Sequence, residues 1–81
     1  MQRSTTPLRR RELLDEALAI IERDYAEDLS LDEVARRIAT SRRQLQRCFT
    51  ELHDASFRTC LTRVRMERAA ELLLTTPASV R

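Results

Sequence analysis

Two serine-led helix starts lie eleven positions apart in the middle of this sequence, and no other feature constrains the fold as much. Ser30 is followed three residues later by Glu33, and Ser41 is followed three residues later by Gln44. In each of these capping boxes the serine oxygen and the later side chain satisfy backbone N–H groups that the first helical turn leaves without partners. A helix is therefore expected to begin directly after each serine.

Each of these two predicted helices carries one apolar stripe at helical spacing. In the first helix the stripe consists of Leu31, Val34, Ala35 and Ile38. In the second, which is expected to span 42–52, it consists of Leu45, Cys48, Phe49 and Leu52. Because only Ala39 and Thr40 separate the first helix from the second cap, the two stripes are expected to pack on each other. Two short helices joined in this way predict a helix-turn-helix.

The second helix also has a polar face, about half a turn away from its apolar stripe. The members of this face are Arg43, Gln46, Arg47 and Thr50. Packing of the stripe must turn the polar face outward, and an outward face of this composition suits the major groove of a duplex. The sequence therefore predicts double-stranded DNA as the partner.

The turn between the two helices lacks the glycine that such turns usually carry, since the chain has no Gly at all. Glycine is favoured there because it adopts a left-handed backbone without a steric penalty. If Ala39 takes that conformation instead, we expect a cost of about 1 kcal/mol.

The rest of the sequence predicts one small all-α domain of four helices. Residues 1–9 are expected to form a flexible N-terminal arm and residues 10–81 the helical domain. The first helix is expected from Arg10 to Tyr25 and to lie across the two later helices, because its apolar residues form a single stripe. The last helix is expected over about 57–74, after a cap at Ser56. A chain of this length buries only about 60 to 65% of its unfolded surface, so we expect a small core.

Charge is unevenly distributed although the net charge is only +2. Residues 12–33 hold nine acids against one arginine, whereas residues 36–68 hold nine arginines against three acids. These segments therefore carry about −8 and +6, which predicts a dipolar molecule with one side that attracts anions.

Several other classes of function are not supported by the sequence. No apolar run approaches the length of a membrane span and no signal-peptide core follows the basic start, so a cytoplasmic protein is expected. Cys48 and Cys60 lack the spacing of a metal site and are expected to be buried thiols. His53, Asp54 and Ser56 are neighbours in a turn, where their side chains cannot easily converge into a hydrolytic triad. We therefore expect no metal, no cofactor and no catalytic activity.

Three motifs between Leu29 and Leu73 are shared with a known family. The run from Leu29 to Phe49 is LSLDEVARRIATSRRQLQRCF, the next helix starts with Ser56-Phe57, and an R-x-x-x-A-x-x-L-L pattern extends from Arg65 to Leu73. Together they resemble the DNA-binding domain of the AraC/XylS family of bacterial transcription regulators, over most of this chain.

The resemblance implies sequence-specific DNA binding with helix 42–52 in the major groove. In that family the fourth helix links two helix-turn-helix units, so the chain is expected to hold the first unit and the linker helix. Ser79 followed by Val80 resembles the start of the second unit, and the sequence ends at Arg81. A first unit without its second is therefore expected, with the family's ligand-sensing domain also outside the sequence.

The resemblance also implies roles for individual side chains. The residues expected to point at base edges are Arg43, Gln46 and Arg47. Arginine can make a bidentate contact to guanine, and glutamine one to adenine. The predicted phosphate contacts flank that face or, as weaker candidates, lie on the preceding helix: Ser41, Arg42 and Thr50, then Arg36 and Arg37. The alternative for all these arginines is that they only keep the surface soluble.

The end of the last helix supports a second hypothesis, in which the chain is a protein-interaction module. Leu72, Leu73 and Leu74 surround more of the helix than one small neighbour can bury. We expect them to contact a second copy of the chain, the missing second unit or another protein partner. In that case the arginines would only solubilise the domain.

Overall fold

A computed structural model describes residues 7–75 of the chain as four α-helices joined by short turns. Their bounds are α1 Pro7–Asp24, α2 Leu31–Arg37, α3 Arg42–Leu52 and α4 Phe57–Thr75. No strand occurs within these residues, and the predicted all-α helix-turn-helix fold is confirmed. The expected start of a second unit, at Ser79 and Val80, lies outside the described residues.

Serine caps fix the starts of three helices, as predicted. The reciprocal half of each capping box is not formed among the described residues, because the Glu33 carboxylate accepts from Arg36 and Arg37 instead and the Gln44 side chain makes no bond to its cap. The Ser30 Oγ accepts from the Glu33 backbone N–H at 3.1 Å, and the Ser41 Oγ accepts from the Gln44 backbone N–H at 3.0 Å. At the start of α4, the Ser56 Oγ accepts from the backbone N–H three residues later at 3.2 Å. Because the cap positions depend on local sequence, α2, α3 and α4 begin at the predicted residues.

The start of α1 differs from its expected position. The helix begins at Pro7, three residues before Arg10, so Leu8 and Arg9 are helical although they were expected in the arm. Proline suits the first helical position because its ring presets φ and because the N–H that it lacks would have no partner there. The rest of the expected arm, residues 1–6, lies outside the described residues.

The core lies where α1 crosses α3, with α2 and α4 packed at its sides. α1 contacts all three other helices, as its long apolar stripe predicts. The largest fully buried side chains come from three helices: Leu14, Ile21, Val34, Leu45 and Cys48. No polar or charged residue is buried among the residues described, so the core is held by apolar packing.

The turn between α2 and α3 has the left-handed backbone that the sequence analysis anticipated, with Ala39 at φ 59°. The Thr40 N–H donates to the Ala35 carbonyl oxygen at 2.9 Å, and the Ala39 N–H donates to the Arg36 carbonyl oxygen at 3.2 Å. This pair of bonds is a Schellman motif, in which glycine usually occupies the position of Ala39. The turn therefore keeps its usual geometry, and the steric strain of the left-handed backbone falls on Ala39.

Arg65 attaches α4 to the far end of α1. Its Nε donates to the carbonyl oxygen of Tyr25 and its Nη2 to that of Glu27, both at 2.8 Å. Neither carbonyl has a helical partner, although that of Glu27 also accepts from the Leu29 N–H, and the forked guanidinium can bond both at once. These bonds fix the direction in which α4 leaves the core.

Candidate nucleic-acid interface

The outward face of α3 is formed by the four side chains that the sequence predicts. Arg43, Gln46, Arg47 and Thr50 are all exposed. On the opposite side of α3, Leu45 and Cys48 are fully buried and Phe49 is 2% exposed. The helix is therefore held firmly from behind while it presents a polar, basic surface to solvent.

The arginines of this face differ in their surroundings. Arg43 has no carboxylate within ion-pair distance among the described residues. The Arg47 Nη2 lies 3.3 Å from Glu51 Oε2, and the other oxygen of Glu51 contacts Arg10 of α1. Glu51 therefore ties Arg47 to the first helix, but the Arg47 side chain remains 64% exposed. An exposed pair of this kind contributes little to stability and can open when a better ligand arrives.

The predicted phosphate contacts on α3 lie beside this face. The Ser41 Oγ already accepts the capping bond, and its hydroxyl hydrogen can still donate to an anion. The Arg42 Nε lies 3.4 Å from Asp32 Oδ1, and both side chains are mostly exposed. The Thr50 Oγ1 donates to the Gln46 carbonyl oxygen at 3.0 Å, so a phosphate would have to compete with that bond.

Arg36 and Arg37, the weaker candidates, have different settings. Arg36 is 72% exposed and pairs with Glu33 at 2.6 Å. The Arg37 side chain is 29% exposed and lies within ion-pair distance of Asp24, Glu27 and Glu33. These carboxylates satisfy the Arg37 guanidinium inside the protein. A phosphate contact by Arg37 stays a prediction, and a phosphate would have to compete with these three ion pairs.

Arginine partners in and beside this cluster lower the pKa of two carboxylates, Glu33 and Asp24. Hydrogen bonds from Arg36 and then Arg37 hold the pKa of Glu33 below its ordinary value. The pKa of Asp24 is also lowered, chiefly by the hydrogen bond from Arg23 and also by that from Arg37. Both carboxylates are therefore ionised at neutral pH and clamp α2 to the end of α1.

An open groove of about 630 Å³ borders one side of the α3 face. We call it the α3–α4 groove, and its lining residues are Leu29, Ser30, Leu31, Asp32, Arg42, Gln46, Phe49, Thr50, Ser56, Phe57, Arg58, Leu61, Thr62 and Arg65. Arg58 and Thr62 are exposed polar residues of α4 that the sequence analysis does not single out. They lie four positions apart, on the same side of the helix, which was the available signal.

The two cysteines are buried in the apolar core, as expected, and neither forms a disulfide. Burial raises the pKa of both the Cys48 and Cys60 thiols, so they stay protonated near neutral pH. Within the described residues no three His, Cys, Asp or Glu side chains come together in a way that could hold a metal ion.

None of the four helices, within the described part of the chain, is long and apolar enough to cross a membrane.

Comparison with known proteins adds one finding to this geometry. A family model described as "Helix-turn-helix domain" matches residues 34–81, which is more than half of the chain. The matched segment starts within α2 and contains the whole of α3 and α4. No curated protein and no solved structure matches the chain.

Proposed function

The chain belongs to the AraC-type helix-turn-helix family of DNA-binding domains, whose general role is transcription regulation, and from this premise we propose that it binds DNA sequence-specifically through α3. In this proposal α3 lies in the major groove. The chain acts in the cytoplasm of a bacterial cell as a regulator without catalytic activity, as is typical of the family.

One observation carries the proposal, namely that three long nitrogen-bearing side chains project from one face of a helix whose opposite face is buried. The three are Arg43, Gln46 and Arg47, and the residues behind them are among the least exposed in the protein. A rigid helix is needed for base reading because a bidentate hydrogen bond tolerates little displacement of the side chain.

The proposed roles follow from side-chain chemistry. Arg43 and Arg47 each offer a forked pair of donors to the O6 and N7 atoms of guanine, and Gln46 offers a donor and an acceptor to adenine. Each such contact discriminates against a wrong base by about 1–3 kcal/mol. Ser41, Arg42 and Thr50 are proposed to hold phosphates, with Arg36 and Arg37 as lesser contributors, which sets the register of α3 but conveys no sequence information.

The test begins with a duplex selected from a random library and compares Arg47→Ala with Arg42→Ala. We expect Arg47→Ala to weaken binding to the selected duplex and to relax preference at one base pair, with little effect on random duplex. Arg42→Ala is expected to weaken binding to both duplexes alike and to lower the salt slope by about one. Both residues lie on α3, each pairs with one carboxylate, and their side chains are 61% and 64% exposed, so they are matched in charge and exposure. Identical behaviour of the two variants would contradict the separation into base and phosphate contacts.

A second candidate function has its own observation, which is the apolar surface at the end of α4. Met66, Leu72, Leu73 and Leu74 are all exposed, Leu74 to 85%. This surface is proposed as the place where a second copy of the chain, a second helix-turn-helix unit or another protein packs. It is compatible with DNA binding, but it would be the main function if the arginines of α3 made no contact with DNA.

Titration with random-sequence duplex at low salt separates the two functions. A DNA-binding domain is expected to show salt-sensitive nonspecific affinity, of roughly 10⁻⁴ to 10⁻⁶ M at physiological salt for one unit. A protein adapter has no reason to show it. Complete absence of duplex binding at low salt would leave only the protein-interaction function.

A further inference from the structure

The α3–α4 groove has polar side chains on both walls, and the function proposed above uses only one wall. The α3 wall contains Arg42, Gln46 and Thr50, whereas the α4 wall contains Arg58 and Thr62. We propose that this groove receives the sugar-phosphate backbone of one DNA strand, with Arg58 and Thr62 as phosphate contacts. The inference rests on the proposed function, because the strand in question is one of the two that border the major groove in which α3 is proposed to lie.

Continuity of the two surfaces supports this placement. Gln46 and Thr50 belong both to the outward face of α3 and to the lining of the groove. A duplex whose base edges meet Gln46 therefore brings one of its flanking strands to the groove. Since a phosphodiester strand is continuous, contacts on the α3 wall and on the α4 wall can be made to neighbouring phosphates.

The charges in the groove also favour a polyanion. Its lining contains three arginines and a single acid, Asp32, which already lies 3.4 Å from Arg42. Arg65 is committed to two backbone carbonyls, as described above. Arg58 is exposed and has no carboxylate within ion-pair distance among the described residues, so its guanidinium is available to a phosphate without breaking an internal bond.

Arg63 provides a matched control on the same helix. It is exposed and likewise has no acidic partner in the described part of the chain, but it does not line the groove. Five positions along an α-helix correspond to a rotation of about 140°, which directs Arg63 away from the side that carries Arg58. Replacing either arginine with alanine changes the net charge equally, so any difference between the variants reports local contact and not the overall charge.

The experiment measures the affinity of the 81-residue chain for random-sequence duplex over a range of salt concentrations. For Arg58→Ala we expect weaker binding to all sequences and a salt slope lower in magnitude by about 0.9, the value for one lost phosphate contact. For Arg63→Ala we expect a slope close to that of the parent chain. Arg58→Lys should retain most of the parent slope, because an ammonium also pairs with phosphate.

The outcomes separate this inference from the function on which it depends. If the parent chain shows no salt-dependent binding, the proposed function itself fails. If the parent chain binds but Arg58→Ala and Arg63→Ala have the same slope, the groove is not the path of the strand and the α3 contacts stand. Circular dichroism of each variant confirms that the helices are intact.

Discussion

Ala39 is the residue at which the backbone of this domain departs most from what its side chain favours. Its φ of 59° lies in the left-handed region, where a Cβ crowds the following carbonyl oxygen. We therefore expect Ala39→Gly to stabilise the protein by about 1 kcal/mol, somewhat offset by the greater freedom of glycine in the unfolded chain. Urea unfolding of the two proteins measures the difference.

The control for this prediction is Ala26→Gly. Ala26 is also an exposed alanine in a turn between helices, but it does not have a positive φ. Glycine there only adds freedom to the unfolded chain, so a small loss of stability is expected. If Ala39→Gly were as destabilising as Ala26→Gly, the prediction that the left-handed backbone strains Ala39 would be wrong.

Ser41 has two roles at the residue scale, the helix cap that the structure shows and the phosphate contact that is proposed. Ser41→Ala removes the cap and is expected to cost about 1 kcal/mol of stability. Ser41→Asp keeps a capping oxygen, so stability should return to near the parent value. The aspartate would repel a phosphate, and DNA affinity should fall below that of Ser41→Ala. Equal affinity of the two variants would remove Ser41 from the phosphate contacts.

At the scale of elements, the junction of α1 and α2 depends on ionised carboxylates. The pKa values of Asp24 and Glu33 are lowered in the folded protein by their arginine partners. A group with a lowered pKa stabilises the fold above its unfolded pKa, and this contribution is lost as the pH falls through the folded pKa. The domain should therefore lose stability in acid, below about pH 4, where such carboxylates titrate when unfolded.

Arg37 connects this pH dependence to a single side chain. Because it contacts both Asp24 and Glu33, Arg37→Ala should raise the pKa of each towards its ordinary value. The free energy of unfolding should then fall less steeply with decreasing pH than in the parent chain. Arg43→Ala, which removes an exposed arginine without an acidic partner, should leave that dependence unchanged. If the free energy of unfolding had the same pH dependence in Arg37→Ala and in the parent chain, Arg37 would not be responsible for the lowered pKa values of Asp24 and Glu33.

An element of this fold was predictable from the sequence where local residues define it, and was not where packing between distant segments does. Capping boxes and apolar stripes involve residues within one or two turns, so the bounds of α3 and the outward direction of Arg43 were predictable. The start of α1 was not predictable from the apolar stripe, because the helix begins at Pro7, a favoured first helical residue, ahead of the first residue of that stripe.

Features that depend on how helices cross could not be predicted in this way. The α3–α4 groove depends on where α4 lies, and contacts distant in sequence place that helix, such as the bond from Arg65 to the carbonyl of Tyr25, 40 residues away. Periodicity within α4 places Arg58 and Thr62 on one side of the helix but does not tell which neighbour lies beside them. The ion pair between Arg10 and Glu51, which are 41 residues apart in the sequence, could not be predicted for the same reason.

At the scale of the whole molecule, the described chain is elongated and carries an uncovered apolar end. Its radius of gyration is 15.3 Å, and its principal extents are 60 × 21 × 15 Å. A compact domain of this length would have a radius of gyration of about 12 Å. The second half of α4, whose leucines are exposed, therefore extends beyond the core, to which the first half of α4 contributes Cys60, Leu61 and Val64. An apolar surface of this kind favours association in water.

We accordingly expect the chain to self-associate through the end of α4, and Leu73→Glu to weaken that association. Leu73 is 67% exposed, so a charge there should not disturb the core. Sedimentation over a range of concentrations should show a growing dimer fraction for the parent chain and less for Leu73→Glu, while the melting of the dilute monomer is unchanged. Leu8→Glu, the same change at a 71% exposed leucine of α1, is the control and should associate like the parent. A parent chain that stays monomeric at high concentration and melts cooperatively would show that the end of α4 needs no cover from a second copy.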